Sequence, residues 1–380
     1  MLKSLHLKIE YLLSTHKLVV LRTQGLAWQE DFVKQLSVGR KLYNFAEPML
    51  RHQATYRKEE FLREMEVPAL LQDVQYVDGL YHNLLALDFP KGSLLIVVKQ
   101  SCYIMDETCN DDLVVFDLPV MLSDERIPFE LQNIAMLKKR STSENVFDKI
   151  LTGYLGRECC SDFIKRFLQY DLKDFTVASD DLKFYHFMCA VAASSGNIVN
   201  YAQLGKLVDV SSPTAKQWLK YLEGAGLVYL LPALEQAGSQ RLTKAPKLYF
   251  RDTGLACYLL NINCREDLLS SNLLNALFET WVVMQIREAS LQNGNEAKLL
   301  YYRDSNAKEI SLLMQCGTEL HPVEIKRDLL NVKRVQKKFR VFGELLNSSD
   351  LEISTGCVIC DCNEVIALAD DLWQVPAKIL

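Results

Sequence analysis

Lys244-Ala-Pro-Lys-Leu-Tyr-Phe-Arg-Asp-Thr-Gly-Leu-Ala-Cys-Tyr-Leu-Leu260 opens a stretch that continues through Phe278-Glu279-Thr280 and Tyr301-Tyr302-Arg303-Asp304. It closes on Pro322-Val323-Glu324-Ile325-Lys326. The last five residues are apolar and β-branched between turn signals, which predicts a strand. Positions two apart on a strand share a face, so Glu324 and Lys326 point the same way. A carboxylate beside an ammonium on one strand face suits metal-dependent phosphodiester chemistry. The carboxylate holds Mg²⁺, and the lysine orients water or neutralises phosphate. The upstream strand, Glu309-Ile310-Ser311-Leu312-Leu313-Met314, has Ile310, Leu312 and Met314 on one face and Glu309 and Ser311 on the other. A hydroxyl without a neighbouring carboxylate is a weak Mg²⁺ ligand, so half of such a site is present. A solvated strand face explains the same residues.

A length of 380 residues suits two or three domains. A composition 49% hydrophobic and 24% charged is that of a globular chain. Net charge −5 gives no global nucleic-acid signature, so any such surface is a local patch. Eleven scattered cysteines, an odd number with an adjacent pair at Cys159-Cys160, point to reduced thiols and a cytoplasmic location. Cys360-x-Cys362 lacks the second half of a zinc site. No apolar run reaches a membrane span, and the N-terminus lacks a signal-peptide core.

Lys17-Leu-Val-Val-Leu21 predicts a buried strand after an amphipathic helix over 2–14. A phosphate-binding loop would follow such a strand. It needs glycines, a lysine for the phosphates and a Ser/Thr for Mg²⁺. The sequence offers one glycine, Gly25, and then Trp28-Gln29-Glu30. Farther on, Asp180-Asp181 predicts a helix cap. Asn200–Val208 and Ser211–Glu223 read as a helix-turn-helix, with serine and Pro213 starting the second helix. Ala215, Leu219 and Leu222 face inward; Thr214, Lys216, Gln217 and Lys220 face outward, as a DNA-reading helix presents them. Leu227–Leu231 and Lys247–Phe250 predict a following hairpin, with Arg241, Lys244 and Lys247 on its connection. After Lys326 comes a basic helix with Lys333, Arg334, Lys337, Lys338 and Arg340, a stripe suited to phosphates or simply to solvent.

The stretch from about Asn200 to Lys326 resembles a family of prokaryotic ATPases. These join an N-terminal AAA-type domain, a winged helix and a C-terminal domain of unknown function with a restriction-endonuclease-like (PD-(D/E)XK) core. Lys247–Gly254 resembles the family's boundary motif, Phe278-Glu279 its first nuclease-core helix, and Glu324-Ile325-Lys326 its Glu-x-Lys. Tyr302-Arg303-Asp304 followed by Glu309-Ile310-Ser311 is similar to a motif that ends there in Glu-Val-Asp, so Ser311 replaces the metal-binding aspartate. By the same resemblance, Trp28-Gln29-Glu30 falls where Gly-Lys-Thr stands, Gln72-Asp73 where an Asp-Glu pair stands, and Asp112 where an arginine stands.

The resemblance implies an α/β chain in four parts: a degenerate AAA/P-loop-like domain at 1–124, a helical lid at 125–182, a winged helix at 183–250 and a restriction-endonuclease-like domain at 251–380. It implies a pseudo-ATPase and degenerate nuclease that binds or scaffolds, with no cofactor and with double-stranded DNA or a protein as partner. Its relic site would be Glu279, Glu324 and Lys326, with Glu324 the metal ligand. Its DNA contacts would be Lys216, Gln217, Lys220, Arg241 and Lys244. The alternatives are a Mg²⁺-dependent nuclease with a repositioned acid, Glu309 or Glu279, and an ATP-driven switch, which the lost charges oppose.

Overall fold

The structure is a computed structural model that describes residues 2–23, 27–99, 112–118, 137, 144–172, 180–234, 243–293, 297–328, 331–346 and 350–380. The chain divides into two compact units, Met1–Asp124 with Gly224–Gly226, and Glu125–Glu223 with Leu227–Leu380.

The first unit is built on five parallel strands: β1 (Leu18–Thr23), β2 (Lys41–Asn44), β3 (Ala69–Gln72), β4 (Leu94–Lys99) and β5 (Leu113–Asp117). They lie in the order β2-β3-β4-β1-β5. Val19-Val20-Leu21 and Leu94–Val98 are continuous apolar runs because both faces of a parallel sheet are covered. The helix Leu2–Thr15 sets Leu5, Ile9 and Leu13 at helical spacing, and the helix Ala27–Leu36 sets Phe32, Val33 and Leu36. Both stripes join Val19, Leu21, Leu95 and Val97 in one core.

The second unit begins with helices. Phe184 and Phe187 of the helix Asp181–Ala193 pack on Trp218 of the helix Ser212–Gly224, with ring centroids 5.2 and 5.3 Å apart. Asp180 caps the first of these helices by accepting from the Leu182 and Lys183 amides. Between them runs the helix Tyr201–Leu207, capped by Asn200. An antiparallel hairpin follows, β6 (Val228–Leu231) with β7 (Lys247–Phe250). Ala215, Leu219 and Leu222 are buried, as their spacing predicts, and Lys216 and Gln217 are exposed. Trp218 and Tyr221 are buried too, which the sequence reading missed.

Asp252 locks the next helix in place. Its carboxylate accepts from Leu255 N at the start of the helix Thr253–Leu259. It also accepts from Tyr154 N and Leu155 N at 3.0 and 2.7 Å, beyond the helix Val146–Thr152. Burial pushes the Asp252 carboxyl above the usual range, although these amides pull the other way. The close approach needs glycines: a Cβ on Gly153, whose φ is +61°, would fall 2.6 Å from Gly254 N. The Arg-Asp-Thr-Gly sequence at 251–254 is therefore a helix-docking device.

The helix Leu274–Asn293 is apolar nearly all round and correspondingly buried, from Leu277 and Phe278 to Ile286. It leads into a sheet of β8 (Lys298–Arg303), β9 (Glu309–Cys316), β10 (Glu319–Ile325), β11 (Glu352–Ile353), β12 (Gly356–Cys360), β13 (Ile366–Ala369) and β14 (Leu372–Pro376). The main order is β13-β14-β12-β10-β9-β8, with β11 also pairing β10. β8, β9 and β10 form an antiparallel meander, while β10, β12 and β14 run parallel. A parallel step needs a crossover, and the helix Val332–Leu346 supplies it between β10 and β12. Its Val335, Phe339, Phe342 and Leu346 pack on Leu313, Leu320 and Val358. That packing sets the basic face of the helix beside Glu324.

Candidate functional site

Glu324 lies on β10 and is 3% exposed. Antiparallel pairing of Val323 with Leu312 brings the next residues, Glu324 and Ser311, to the same sheet face. Ser311 is buried, and its Oγ lies 3.5 Å from Ile325 N. Sequence periodicity placed Ser311 on the polar face of its strand. Ile310 through Met314 are in fact all buried, because this sheet is covered on both sides.

The partner of Glu324 comes from the crossover helix. Lys338 Nζ donates to Glu324 Oε2 at 2.5 Å. The carboxylate side chain is 5% exposed and the lysine side chain 30%. A carboxylate this buried requires a countercharge, and Lys338 provides it. Arg334, Lys337, Lys338 and Val341 fall at i, i+3, i+4 and i+7 and so share one helix face. With β8, β9 and β10 they line a half-open cavity of about 680 Å³.

Among the described residues five basic and three acidic side chains line this cavity. Each acid is engaged from within the protein. Glu324 has Lys338. Asp304 accepts from the amides of Asn306 and Lys308 at 2.8 and 2.9 Å. Glu309 accepts from Lys247 Nζ and from Arg303, both at 2.8 Å. Burial pushes the Tyr302 phenol, on the cavity wall, up to about 12, so it stays protonated near neutrality.

Glu279 lies elsewhere. It sits on the helix Leu274–Asn293, accepts from Lys247 Nζ at 2.6 Å and from the Tyr249 hydroxyl at 2.8 Å, and does not line the cavity of Glu324 and Lys326. Lys247 is 2% exposed. The sequence lists it with Arg241 and Lys244 as a basic residue of the hairpin connection; in the structure it opens β7 and is buried between two carboxylates. Burial lowers the Lys247 pKa, yet Glu279 and Glu309 outweigh it and hold it above its ordinary value. Burial likewise raises Glu309, and Lys247 with Arg303 brings it below its ordinary value. This network joins the hairpin, the long helix and β9.

The residues fit a divalent cation poorly. Mg²⁺ takes hard oxygen ligands with one or two carboxylates. Here the one carboxylate of the Glu-x-Lys strand is neutralised by an ammonium, and its strand neighbour is a serine. Among the described residues no cluster of three or more His, Cys, Asp or Glu forms a metal site.

Lys216 and Gln217 are exposed on the helix Ser212–Gly224, together with Lys220, and Lys244 is exposed just before β7. Arg241, residues 24–26 and Asn110 lie outside the described residues. In the first unit β3 ends at Gln72, and Asp73 follows with φ +60°. Its carboxylate accepts from Gln75 Nε2 at 2.9 Å. Gln29 is fully buried within the helix Ala27–Leu36. Among the described residues no helix is long and apolar enough to cross a membrane.

Residues 274–380 are similar to a family described as "Domain of unknown function (DUF4143)", and residues 155–266 to "Domain of unknown function (DUF8612)". Glu279, Ser311, Glu324 and Lys338 fall within the first match. The chain is also similar to two mycobacterial proteins, "Uncharacterized protein Mb2031c" of Mycobacterium bovis and "Uncharacterized protein Rv2008c" of Mycobacterium tuberculosis. Each is 28% identical over 217 residues, which is 57% of this chain and 46% of the relative. The chain thus spans about half the length of the curated relatives it matches.

Proposed function

We propose that this protein is a non-catalytic DNA-binding protein, built from an AAA-like unit without nucleotide machinery and a unit that carries a winged helix and a silenced nuclease-like site. The observation that carries this reading is the Lys338–Glu324 pair. An internal ammonium takes the electrostatic place of the metal ion, so the carboxylate is satisfied without one. Ser311 removes the second carboxylate. Neither repositioned acid serves, because Glu309 and Glu279 both hold Lys247.

The AAA-like part of the reading rests on the parallel order β2-β3-β4-β1-β5, with the strand β1 followed by the helix Ala27–Leu36. In open parallel sheets ligands bind at the carboxyl ends of the strands. There Gln72 stands in place of an acid, and Asp73 is engaged by Gln75. The winged-helix part rests on the order of two helices, a turn and a hairpin, with Lys216, Gln217 and Lys220 on the outer face of the second helix. The test is incubation of the purified chain with duplex DNA and with RNA in Mg²⁺ or Mn²⁺, alongside a DNA-binding titration. Binding without cleavage is expected. Cleavage that Glu324→Ala abolishes would overturn the reading in favour of a nuclease.

A further inference from the structure

We infer that the cavity beneath the helix Val332–Leu346 is a metal-independent binding site for a phosphate monoester. The inference rests on the reading that Glu324 holds no metal. It adds what the cavity takes instead.

Positive charge is left over on the cavity wall. Glu324, Glu309 and Asp304 each have partners inside the protein, and Lys338 is consumed by Glu324. Lys308, Lys326, Arg334 and Lys337 remain on the cavity wall, with no carboxylate within ion-pair distance among the described residues. Arg334 and Lys337 lie one turn apart on the helix, while Lys326 directly follows the end of β10. With Lys308 on the β8–β9 connection, the cations line the cavity from three segments of the chain. A guanidinium offers a fork that matches phosphate oxygens, and ammonium groups add point charge. A dianionic monoester answers this excess better than a diester carrying one charge. The remaining wall is apolar, with half-buried Val341 and Leu345 beside buried Phe342. It suits the organic part of an ester, and about 680 Å³ accommodates a ligand of nucleotide size. In a metal-dependent site the bare acid would repel phosphate until the ion arrived. Here Lys338 has already removed that repulsion.

The experiment is calorimetry on the full chain in low salt with EDTA, using 5′-phosphorylated dithymidylate, the same dinucleotide without its 5′-phosphate, and inorganic phosphate. The phosphorylated dinucleotide is expected to bind at least tenfold tighter than the unphosphorylated one. Arg334→Ala with Lys337→Ala should weaken it at least tenfold with the melting temperature unchanged, and Lys326→Gln, at a second exposed position, should weaken it as well. Inorganic phosphate binding as tightly as the ester would support the site and identify a free anion as its ligand. No discrimination by the 5′-phosphate, or no effect of the variants, would overturn the inference and leave the non-catalytic reading standing. A repeat with Mg²⁺ in place of EDTA completes the test, and binding that appears only there would overturn both.

Discussion

The Lys338 ammonium lies 2.5 Å from the buried Glu324 carboxylate, fourteen residues upstream of it. A divalent cation would use the same carboxylate. Restoring an aspartate at position 311 is therefore insufficient, because Ser311→Asp alone leaves Lys338 in place to pair with the new acid. Ser311→Asp with Lys338→Ala supplies two carboxylates and removes the competing ammonium. We expect no Mn²⁺ response from the wild type or from Ser311→Asp. The double variant should gain about 2.7 kcal/mol at Mn²⁺ a hundredfold above its Kd, read as a rise in melting temperature. A wild-type chain stabilised equally by Mn²⁺ would contradict this.

The Lys247 network gives a second test. Lys247 is almost fully buried between Glu279 and Glu309. Lys247→Met leaves both carboxylates without it and should cost about 3 kcal/mol, since breaking a buried pair strands its partner. The pH dependence follows from the two shifts. Glu309 titrates below its ordinary value, so its contribution is present above about pH 4.5 and is lost as pH falls through the lower folded value. Lys247 titrates above its ordinary value, so its contribution is present below about pH 10.5 and is lost as pH rises through the higher folded value. Urea unfolding of wild type and variant should differ by a constant amount between these limits and converge outside them. A difference that grows in acid would refute the assignment.

Much of this was legible because strands and caps are local. The alternation over 309–314 and the β-branched run at 322–326 located β9 and β10, and Asp180 marked its helix. What was missed depends on contacts between elements. That Lys338 rather than Lys337 reaches Glu324 is set by how the crossover helix is rotated over the sheet. Lys247 looks like any basic loop residue until the long helix brings Glu279 against it. Ser311 falls on the polar face of its strand by alternation, which reports only one covered face, and this sheet has two. Trp218 and Tyr221 were overlooked since an inward stripe of Ala215, Leu219 and Leu222 already satisfied the helix; the aromatic pack against Phe184 and Phe187 widens the buried face.

For DNA, the exposed side chains of the helix Ser212–Gly224 are the contacts to remove. Alanine at Lys216, Gln217, Lys220 and Lys244 should weaken duplex binding at least tenfold. The salt slope should fall by roughly 0.9 for each phosphate contact removed. Trp218 must be spared, as truncating a buried tryptophan costs about 3–5 kcal/mol and would confound the result. Fluorescence anisotropy with a labelled duplex at several salt concentrations decides it. Unchanged affinity and slope would make this helix a packing element.

The first unit should show no ATP turnover, and Mg²⁺ should not tighten its hold on ATP. Hydrolysis needs a metal-organising acid at the end of the strand, whereas β3 ends in Gln72 and the neighbouring Asp73 is engaged by Gln75. It also needs a cation at the helix following β1, where Gln29 is fully buried. Restoring the sequence pattern at that position therefore fails for a physical reason. Gln29→Lys would place an ammonium in a site closed to water, a substitution that costs about 3 kcal/mol or more. We expect Gln29→Lys to lower the melting temperature and to gain no Mg²⁺-dependent ATP affinity, even alongside Gln72→Asp. Phosphate release and calorimetry with and without Mg²⁺ measure both. A Gln29→Lys, Gln72→Asp chain that stays as stable as wild type and binds Mg-ATP would show that the site kept its nucleotide geometry and lost only its charges.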